Sequence, residues 1–144
     1  MKQVIFPIAV ICLTLFSCKK TDSVDSTIAL LDGKWRMIIV KENVSGFTIL
    51  KPSTIQGDVD ITFTSSTNGT FAGNTPTNEI WQNNYSIGAN QAITIPNLSM
   101  TKVGETSWGN EFVDNIRSSQ EYSFQIGGQL NIKATSKTLT FRKL

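Results

Sequence analysis

The feature that most constrains the fold is a two-residue alternation of apolar and polar side chains. Between Asp58 and Thr64 it is strict, with Val59, Ile61 and Phe63 on one face and polar residues on the other. A strand with one buried face has this period, whereas a helix brings every third or fourth residue to one side. The same period recurs in residues 92–95, 122–126, 130–134 and 139–142. The sequence therefore predicts a domain built mainly from β-strands.

Turn residues indicate how these predicted strands are connected. Gly127-Gly128 separates two of the segments, and a two-residue Gly-Gly loop favours a tight hairpin. We therefore expect the last three strands to form an antiparallel meander. Residues 34–41 carry apolar side chains on both faces in the second half of the segment, which is typical of a central strand. Weaker strands are expected at residues 46–50, 69–72, 80–87 and 98–103.

One segment has helical spacing instead. Trp108, Phe112 and Ile116 recur at every fourth position, so on a helix they form one apolar stripe, which Val113 widens. Ser107 is the expected N-cap. The helix is expected near residues 107–118, and its stripe needs a sheet to cover it.

The amino-terminal segment has the pattern of an export signal. Lys2 precedes an apolar run, residues 4–16, that is too short to cross a bilayer as a helix. Leu15-Phe16-Ser17-Cys18 follows and resembles the lipobox of bacterial lipoproteins, in which the cysteine thiol receives a diacylglycerol before cleavage. The resemblance implies a signal peptide at residues 1–17 and a lipid on Cys18 that attaches the protein to a membrane. The alternative interpretation is a buried apolar strand with an incidental cysteine.

The position of the lipobox also predicts how the rest of the chain is divided into segments. Residues 18–27 are polar and are expected to form a lipidated amino terminus and a flexible tether. Residues 28–144 are expected to form a single domain, since they are enough for one core and too few for two. Lys19 follows the cysteine, where enteric sorting rules place aspartate for retention in the inner membrane. The expected location is therefore the cell envelope, in the outer rather than the inner membrane.

Charge and residue usage exclude several classes of function. The chain has 13 Lys and Arg against 11 Asp and Glu, and this net charge of +2 gives no electrostatic support for binding nucleic acid. It has no histidine, and its two cysteines, Cys12 and Cys18, both precede the expected domain. Thiolate nucleophiles, Ser-His-Asp triads, Cys/His zinc sites and disulfides are thereby excluded from the domain. We therefore expect a non-enzymatic protein without a cofactor or metal.

Aromatic residues are the best candidates for contact with a ligand, because a flat apolar ring with a polar edge suits a sugar or a peptide. Trp81 lies among polar residues and is expected to be exposed, whereas Tyr85 and Trp108 are more typical of a core. Trp81 and Tyr85 are the possible ligand contacts.

Two pairs of carboxylates are the other candidates. Asp58 and Asp60 share the outward face of one predicted strand, and Glu111 and Asp114 share one face of the predicted helix. Such pairs serve acid–base catalysis or calcium binding in some proteins. A solvated polar face is the commoner role, and we expect it for both pairs.

The order of these features resembles the META or HslJ-like domain of bacterial envelope proteins. That family opens with Leu-x-Gly-x-Trp, has a central Gly-x-x-x-x-Asn and Gly-x-Tyr, and then a Thr-x-Met-Ala-Cys segment, a short helix and closing strands. The matching residues are Leu31-Asp32-Gly33-Lys34-Trp35, Phe71-Ala72-Gly73-Asn74 with Asn78 and Tyr85, Leu98-Ser99-Met100-Thr101-Lys102-Val103, and Tyr122, Leu130 and Leu139-Thr140-Phe141.

This chain departs from the family pattern at Asn83-Asn84, where the central glycine would stand, and at Gly104-Glu105, in place of Ala-Cys. The resemblance implies a mainly β fold, in which a curved antiparallel sheet or half-open β-barrel of about 7–9 strands packs on one helix near residues 107–118. It implies no catalytic residues.

A second resemblance is to lipocalin-like envelope lipoproteins, which also have Gly-x-Trp near the first strand, here Gly33-Lys34-Trp35. Such barrels hold a small apolar ligand at one end. Their helix follows the last main strands and lies outside the barrel, whereas here at least three strands follow the predicted helix. The order of elements favours the META-like fold.

Two functions remain open from the sequence. In the first, the domain binds or assists another envelope protein through a sheet edge or a curved face. In the second, the mouth of the barrel binds a lipid or a sugar.

Overall fold

The structure, a computed structural model, describes residues 31–64 and 67–144. The predicted signal peptide, Cys18 and the tether lie outside the described residues. A helix, α1 (Ser107–Ile116), lies between the sixth and seventh strands, and a 3-10 turn at Ala89–Gln91 precedes the sixth. The strands are β1 (Gly33–Glu42), β2 (Thr48–Leu50), β3 (Asp60–Phe63), β4 (Asn68–Asn74), β5 (Glu79–Ile87), β6 (Ile93–Thr94), β7 (Ser119–Phe124), β8 (Leu130–Ala134) and β9 (Lys137–Lys143).

These strands form one antiparallel sheet that curls into a nearly closed barrel. Their order is β6-β5-β4-β3-β1-β9-β8-β7, with β2 beside β1. Within residues 67–144, the two ends of the sheet are bridged only between Ala92 and Glu121. The barrel therefore has one seam, which lies between β6 and β7. This confirms the predicted mainly β fold, a half-open barrel of nine strands with a helix, and the last three strands form the predicted meander.

Strand β1 is central, as predicted. It pairs with β3 over its first half, with β2 over its second half and with β9 along most of its length. A bulge at Ile38 adds one residue to β1 between Met37 and Ile39. Because the extra residue shifts the alternation, Met37 and Val40 are both buried in the core. This shift explains why the sequence of β1 shows no simple two-residue period.

Helix α1 crosses one end of the barrel, here called the capped end. Its stripe of Trp108, Phe112 and Ile116 is buried as predicted. On the outer side of the stripe, Glu111 forms an ion pair with Lys137 of β9, with 2.7 Å between the charged atoms. Glu111 therefore forms an ion pair with the sheet rather than being solvated as expected.

No helix of the described residues is long and apolar enough to span a membrane.

The N-cap of α1 differs from the expected one. Thr106 occupies this position, because its hydroxyl accepts a hydrogen bond of 3.1 Å from the N–H of Gly109. Ser107 is instead the first residue of the helix. The prediction was wrong by one residue. The sequence does not distinguish the two positions, because both side chains have the hydroxyl that a cap requires.

The opposite end of the barrel, here called the basal end, comprises residues 31–34, 88–92, 125–129 and 141–144. Trp35 closes it from inside, and the indole N–H of Trp35 donates a hydrogen bond of 2.8 Å to the carbonyl of Leu31. The ring of Trp35 lies 6.0 Å from that of Phe124, measured between centroids. Both ends of the barrel are thus filled by aromatic side chains.

The β7–β8 hairpin differs from the predicted two-residue turn. Gln125 donates its N–H to the carbonyl of Gln129, so three residues, Ile126, Gly127 and Gly128, form the loop. Gly127 and Gly128 have φ angles of 99° and 77°, which glycine adopts without strain. The glycines mark the turn correctly, but its length depends on the register of the strands.

Phe112→Ala tests whether the helix belongs to the core. Phe112 is fully buried, so truncation should lower the free energy of unfolding by about 3–5 kcal/mol. Phe47→Ala is the matched control, because Phe47 is 63% exposed and should cost far less. Urea denaturation of the full-length protein and both variants measures the difference. A loss no larger for Phe112→Ala than for Phe47→Ala would contradict the position of α1 across the capped end.

Candidate functional site

The interior of the barrel is filled by the protein's own side chains. The ring of Phe63 lies 5.6 Å from that of Phe71 and 5.2 Å from that of Tyr85, with an edge-on contact to Tyr85. The largest buried side chains also include Trp35, Trp108, Tyr122, Phe112 and Phe141. A ligand at the centre of the barrel would have to displace this core, so the surface is the better place to look for a binding site.

The seam is bordered on one side by a broken strand. Beyond β6, which pairs with Ser86 and Ile87, the chain continues along β5 in the same register as far as Thr101. Pro96 interrupts the ladder because it has no N–H to donate. The strand predicted at residues 98–103 is therefore present only as a single bridge, between Met100 and Ile80. Residues 98–102 are here called the seam edge.

A buried asparagine holds the seam edge to β5. The side-chain amide of Asn83 accepts a hydrogen bond of 2.5 Å from the N–H of Ser99 and donates one of 3.1 Å to its carbonyl. Asn83 points inward because a bulge at Trp81 and Gln82 places two residues of β5 opposite one of β4. The amide thus replaces the backbone partner that a regular strand would supply.

Met100 presents unpaired backbone groups to the seam. The residues on either side of Met100 are hydrogen-bonded to β5. The N–H of Trp81 donates to the carbonyl of Ser99, and the N–H of Thr101 donates to the carbonyl of Glu79, both at 3.0 Å. The pair Met100–Ile80 between these bonds is therefore a non-hydrogen-bonded pair, in which N–H and C=O point away from the partner strand. Neither group of Met100 bonds to any residue that the structure describes. The seam edge is consequently an open strand edge.

A groove of about 450 Å³ runs beside this edge. Its apolar wall is formed by Leu98, Met100 and Val103 from the seam edge and its continuation, and by Val113 of α1. Val103 is 62% exposed. This groove, here called the seam groove, places apolar side chains next to open backbone groups.

Two cations border the seam groove. Lys102 lies on the seam edge and Arg117 directly follows α1. Both side chains are exposed, and neither is ion-paired within residues 67–144 or with the described residues before them. These two cations outnumber the one carboxylate that lines the groove, Glu105, so the surface of the groove has a net positive charge.

Glu105 fixes the end of the seam groove next to α1. Its carboxylate accepts hydrogen bonds from the hydroxyls of Thr75 and Thr77, the amide of Asn78 and the backbone N–H of Thr106. Burial raises the pKa of Glu105, but these hydrogen bonds outweigh burial and hold the pKa below its usual range. Glu105 is thus an ionised structural group with its acceptors occupied, and no sequence motif pointed to it.

The same network orders the seam edge. The side-chain oxygen of Asn78 accepts hydrogen bonds from the N–H of Val103 at 2.7 Å and from the hydroxyl of Thr101 at 3.0 Å. Asn78 is itself buried in the β4–β5 turn. The groove is consequently preformed by side chains of the barrel.

The structure places the two possible ligand contacts apart. Trp81 is 53% exposed on the outer face of β5, as expected. Tyr85 is buried, as the core interpretation expected, and donates its hydroxyl to the carbonyl of Thr64. Only Tyr85 lines the pocket of about 390 Å³ near Asn84 and Pro96. Contact of either residue with a ligand stays a prediction, but the two do not line one pocket.

Asp58 and Asp60 were predicted to lie on a solvated face, and this prediction is wrong for Asp60. Its carboxylate is buried and accepts two hydrogen bonds from Arg36, of 2.7 and 2.9 Å. Asp58 pairs with Arg36 and Lys51 at 2.8 and 2.7 Å. The hydrogen bonds from Arg36 hold the pKa of Asp60 below its usual range despite burial, and the hydrogen bond to Asp60 raises the pKa of Arg36.

These ion pairs leave the two aspartates unsuited to acid–base work, because Asp60 stays ionised and its oxygens are occupied. Asp114, from the other candidate pair, is exposed on α1. Among the described residues, no group of three or more acidic, histidine or cysteine side chains is arranged to hold a metal ion.

Solved structures of other proteins share the fold of this chain. No family model matches this chain, and no curated protein matches it. A protein from Burkholderia xenovorans, determined by NMR, is similar over 83% of this chain and 88% of its own, with a TM-score of 0.59 and 19% identity. A DUF4847 family protein from Bacteroides vulgatus is similar over 84% of this chain and 99% of its own, with a TM-score of 0.58 and 17% identity. At these identities the likeness establishes the barrel fold alone.

Asp60→Asn tests the buried ion pair through the pH dependence of stability. Because the folded-state pKa of Asp60 is depressed, its contribution is complete above the unfolded value and is lost as pH falls through the folded value, below about pH 4. The variant should lose about 1–3 kcal/mol at pH 7, where Arg36 would keep only Asp58 as partner.

Urea unfolding at pH 7 and in steps down to pH 2 measures both effects. The fall in stability below pH 4 should become shallower in Asp60→Asn but persist in part, because Glu105 titrates in the same direction. Asp114→Asn is the control and should leave stability at pH 7 nearly unchanged, since Asp114 is exposed. An acid profile of Asp60→Asn parallel to that of the unmodified protein would refute the role of Asp60.

Proposed function

We propose that this protein is a non-enzymatic lipoprotein of the bacterial cell envelope that binds an extended segment of another envelope protein at its seam. The lipobox at Leu15-Phe16-Ser17-Cys18 supports the anchor, and the absence of histidine and of cysteines after Cys18 supports the lack of enzymatic chemistry. The resemblance to the META domain, also a proposal, agrees with the order of strands and helix.

The observation that carries the binding proposal is the open edge at Met100. An exposed strand edge is a template for β-strand addition, in which a peptide gains backbone hydrogen bonds and pockets beside the edge select its side chains. The N–H and C=O of Met100 point into the seam, and Leu98 and Val113 provide the apolar surface beside them. A partner segment would add one strand to the sheet there.

The charge at the rim of the seam groove indicates which side chains the partner segment would carry. Lys102 and Arg117 border the seam groove and have no carboxylate partner among the described residues. A partner segment with apolar side chains and at least one flanking carboxylate complements this surface. The alternative function, a small ligand in the mouth of the barrel, has less support because aromatic side chains fill both ends.

Cys18→Ser tests the anchor. The variant should take up no labelled fatty acid and should be found in the soluble periplasmic fraction or as uncleaved precursor, because serine has no thiol to accept the diacylglycerol. Metabolic labelling and cell fractionation measure this, with Cys12→Ser as the matched control that should still be labelled. Label in Cys18→Ser, or none in the unmodified protein, would remove the lipoprotein proposal.

Site-specific photo-crosslinking in the bacterium that encodes the protein tests the seam. A crosslinker at Val103, on the rim, should give one discrete protein product. A crosslinker at Thr62, exposed on β3 across the barrel from the seam, should not give this product.

Combining the Val103 crosslinker with Met100→Pro separates strand addition from simple apolar contact. Proline removes the N–H that points into the seam and also the Met100 side chain of the apolar wall, whereas the control Met100→Ala removes the side chain and keeps the N–H, and should keep the product. The bonds from Trp81 and Thr101 remain in both variants, so the melting temperature should change little. The product should be lost in Met100→Pro. A product that survives in a folded Met100→Pro variant, or that forms equally from Thr62, would overturn the proposed mode of binding.

A further inference from the structure

The basal end of the barrel carries an exposed apolar side chain at its tip. Ile126 stands in the loop of the β7–β8 hairpin and is completely exposed, at 107% of its reference area. Gly127 and Gly128 follow it with positive φ angles, so the loop turns sharply and leaves Ile126 as its furthest large side chain. A single exposed isoleucine is common on a surface, and its meaning depends on what surrounds it.

Cations surround this tip. Arg142 and Lys143 are exposed at the basal end, and the one acidic side chain among residues 31–34, 88–92, 125–129 and 141–144 is Asp32. Lys34 is also exposed there, but its ammonium group lies 3.4 Å from the carboxylate of Asp60. The ammonium group of Lys143 lies 5.4 Å from the centre of the Trp35 ring, beside a cleft of about 310 Å³ lined by Trp35 and Phe124. The basal end thus combines a positive rim with apolar surface.

The chain from the proposed anchor enters the barrel at this same end. Leu31 and Gly33 are basal, and the thirteen Cα-to-Cα steps from Cys18 to Leu31 span at most about 45 Å when fully extended. A lipid on Cys18 would therefore keep the basal end near the bilayer. The tether alone does not orient the barrel, because its reach exceeds the length of β1, which is about 33 Å for 10 residues, so the surface of the basal end has to supply the orientation.

We infer that the basal end docks on an anionic lipid bilayer, with Ile126 at the boundary of headgroups and acyl chains and with Arg142 and Lys143 facing lipid phosphates. Cations and apolar side chains act together at such interfaces, because the buried apolar area and the electrostatic attraction to anionic lipids both add to the binding free energy. This inference rests on the lipid anchor of the proposed function. It would orient the barrel so that the seam groove, next to α1, faces away from the membrane.

Fluorescent labels at two hairpin tips test this orientation. The processed protein has no cysteine after Cys18, whose thiol carries the lipid, so an introduced cysteine is a unique site. Ile126→Cys places a nitrobenzoxadiazole label at the basal end. Val44→Cys is the matched control, since Val44 is also an aliphatic residue in a hairpin loop, is 101% exposed, and lies at the capped end.

The full-length lipidated variants are reconstituted in vesicles of phosphatidylcholine with or without phosphatidylglycerol, and quenching by headgroup-spin-labelled lipid is measured. The label at residue 126 should be quenched at least threefold more than the label at residue 44 in the anionic vesicles. Arg142→Glu, an exposed substitution, or omission of phosphatidylglycerol should reduce this difference by half or more.

Flotation of the vesicles separates the two proposals. Protein that floats but shows equal quenching at both sites would keep the anchor and overturn basal docking. Quenching at residue 126 that is unchanged by Arg142→Glu and by lipid charge would overturn the recognition of anionic lipid. Protein that does not float would instead refute the lipid anchor on which the inference rests.

Discussion

The burial of one helix stripe determines the form of this barrel. Helix α1 connects the seam edge to β7, so the two sides of the seam are joined by the segment that fills the capped end. Burying Phe112 and Ile116 contributes about 1.5–3 kcal/mol for each side chain, and Trp108 adds its apolar area less the cost of a buried indole N–H that has no partner among the described residues. Closing the seam beside Met100 would add only a few backbone hydrogen bonds, each worth about 0.5–1.5 kcal/mol. The apolar stripe therefore outweighs complete closure, and an open edge results.

Polar contacts fix the helix at its start and near its middle. Glu105 binds the β4–β5 turn, and Glu111 binds Lys137 at the start of β9. Gly109 permits the first contact, because a Cβ at that position would come within 2.2 Å of the Glu105 carboxyl carbon. Glycine inside a helix costs about 1 kcal/mol relative to alanine. Four hydrogen-bond donors on one partly buried carboxylate offset this cost and hold the groove in shape.

Local periodicity was sufficient to predict most of the fold and little of the candidate site. The alternation around Ile61 and the stripe around Phe112 are decided by which face is buried, and both predictions are confirmed. Asp60 was predicted to be solvated because the cation that covers it, Arg36, lies 24 residues away on a neighbouring strand. The seam edge depends on Pro96 and on the bulge that turns Asn83 inward, and neither effect follows from a two-residue pattern. Such irregularities are set by strand register, which the sequence of one segment does not contain.

The geometry of the seam also limits how much of the proposed partner segment could bind. The bridge between Ala92 and Glu121 closes the seam towards the basal end, and α1 closes it at the capped end. Only the seam edge, residues 98–102, lies open between them, which is about 17 Å of extended chain. A strand of this length adds few backbone bonds, and part of their gain is lost in ordering the partner segment. In the proposed mode of binding, strand addition alone would therefore be weak and reversible, and the apolar wall and the two cations would supply both the remaining affinity and the choice of partner.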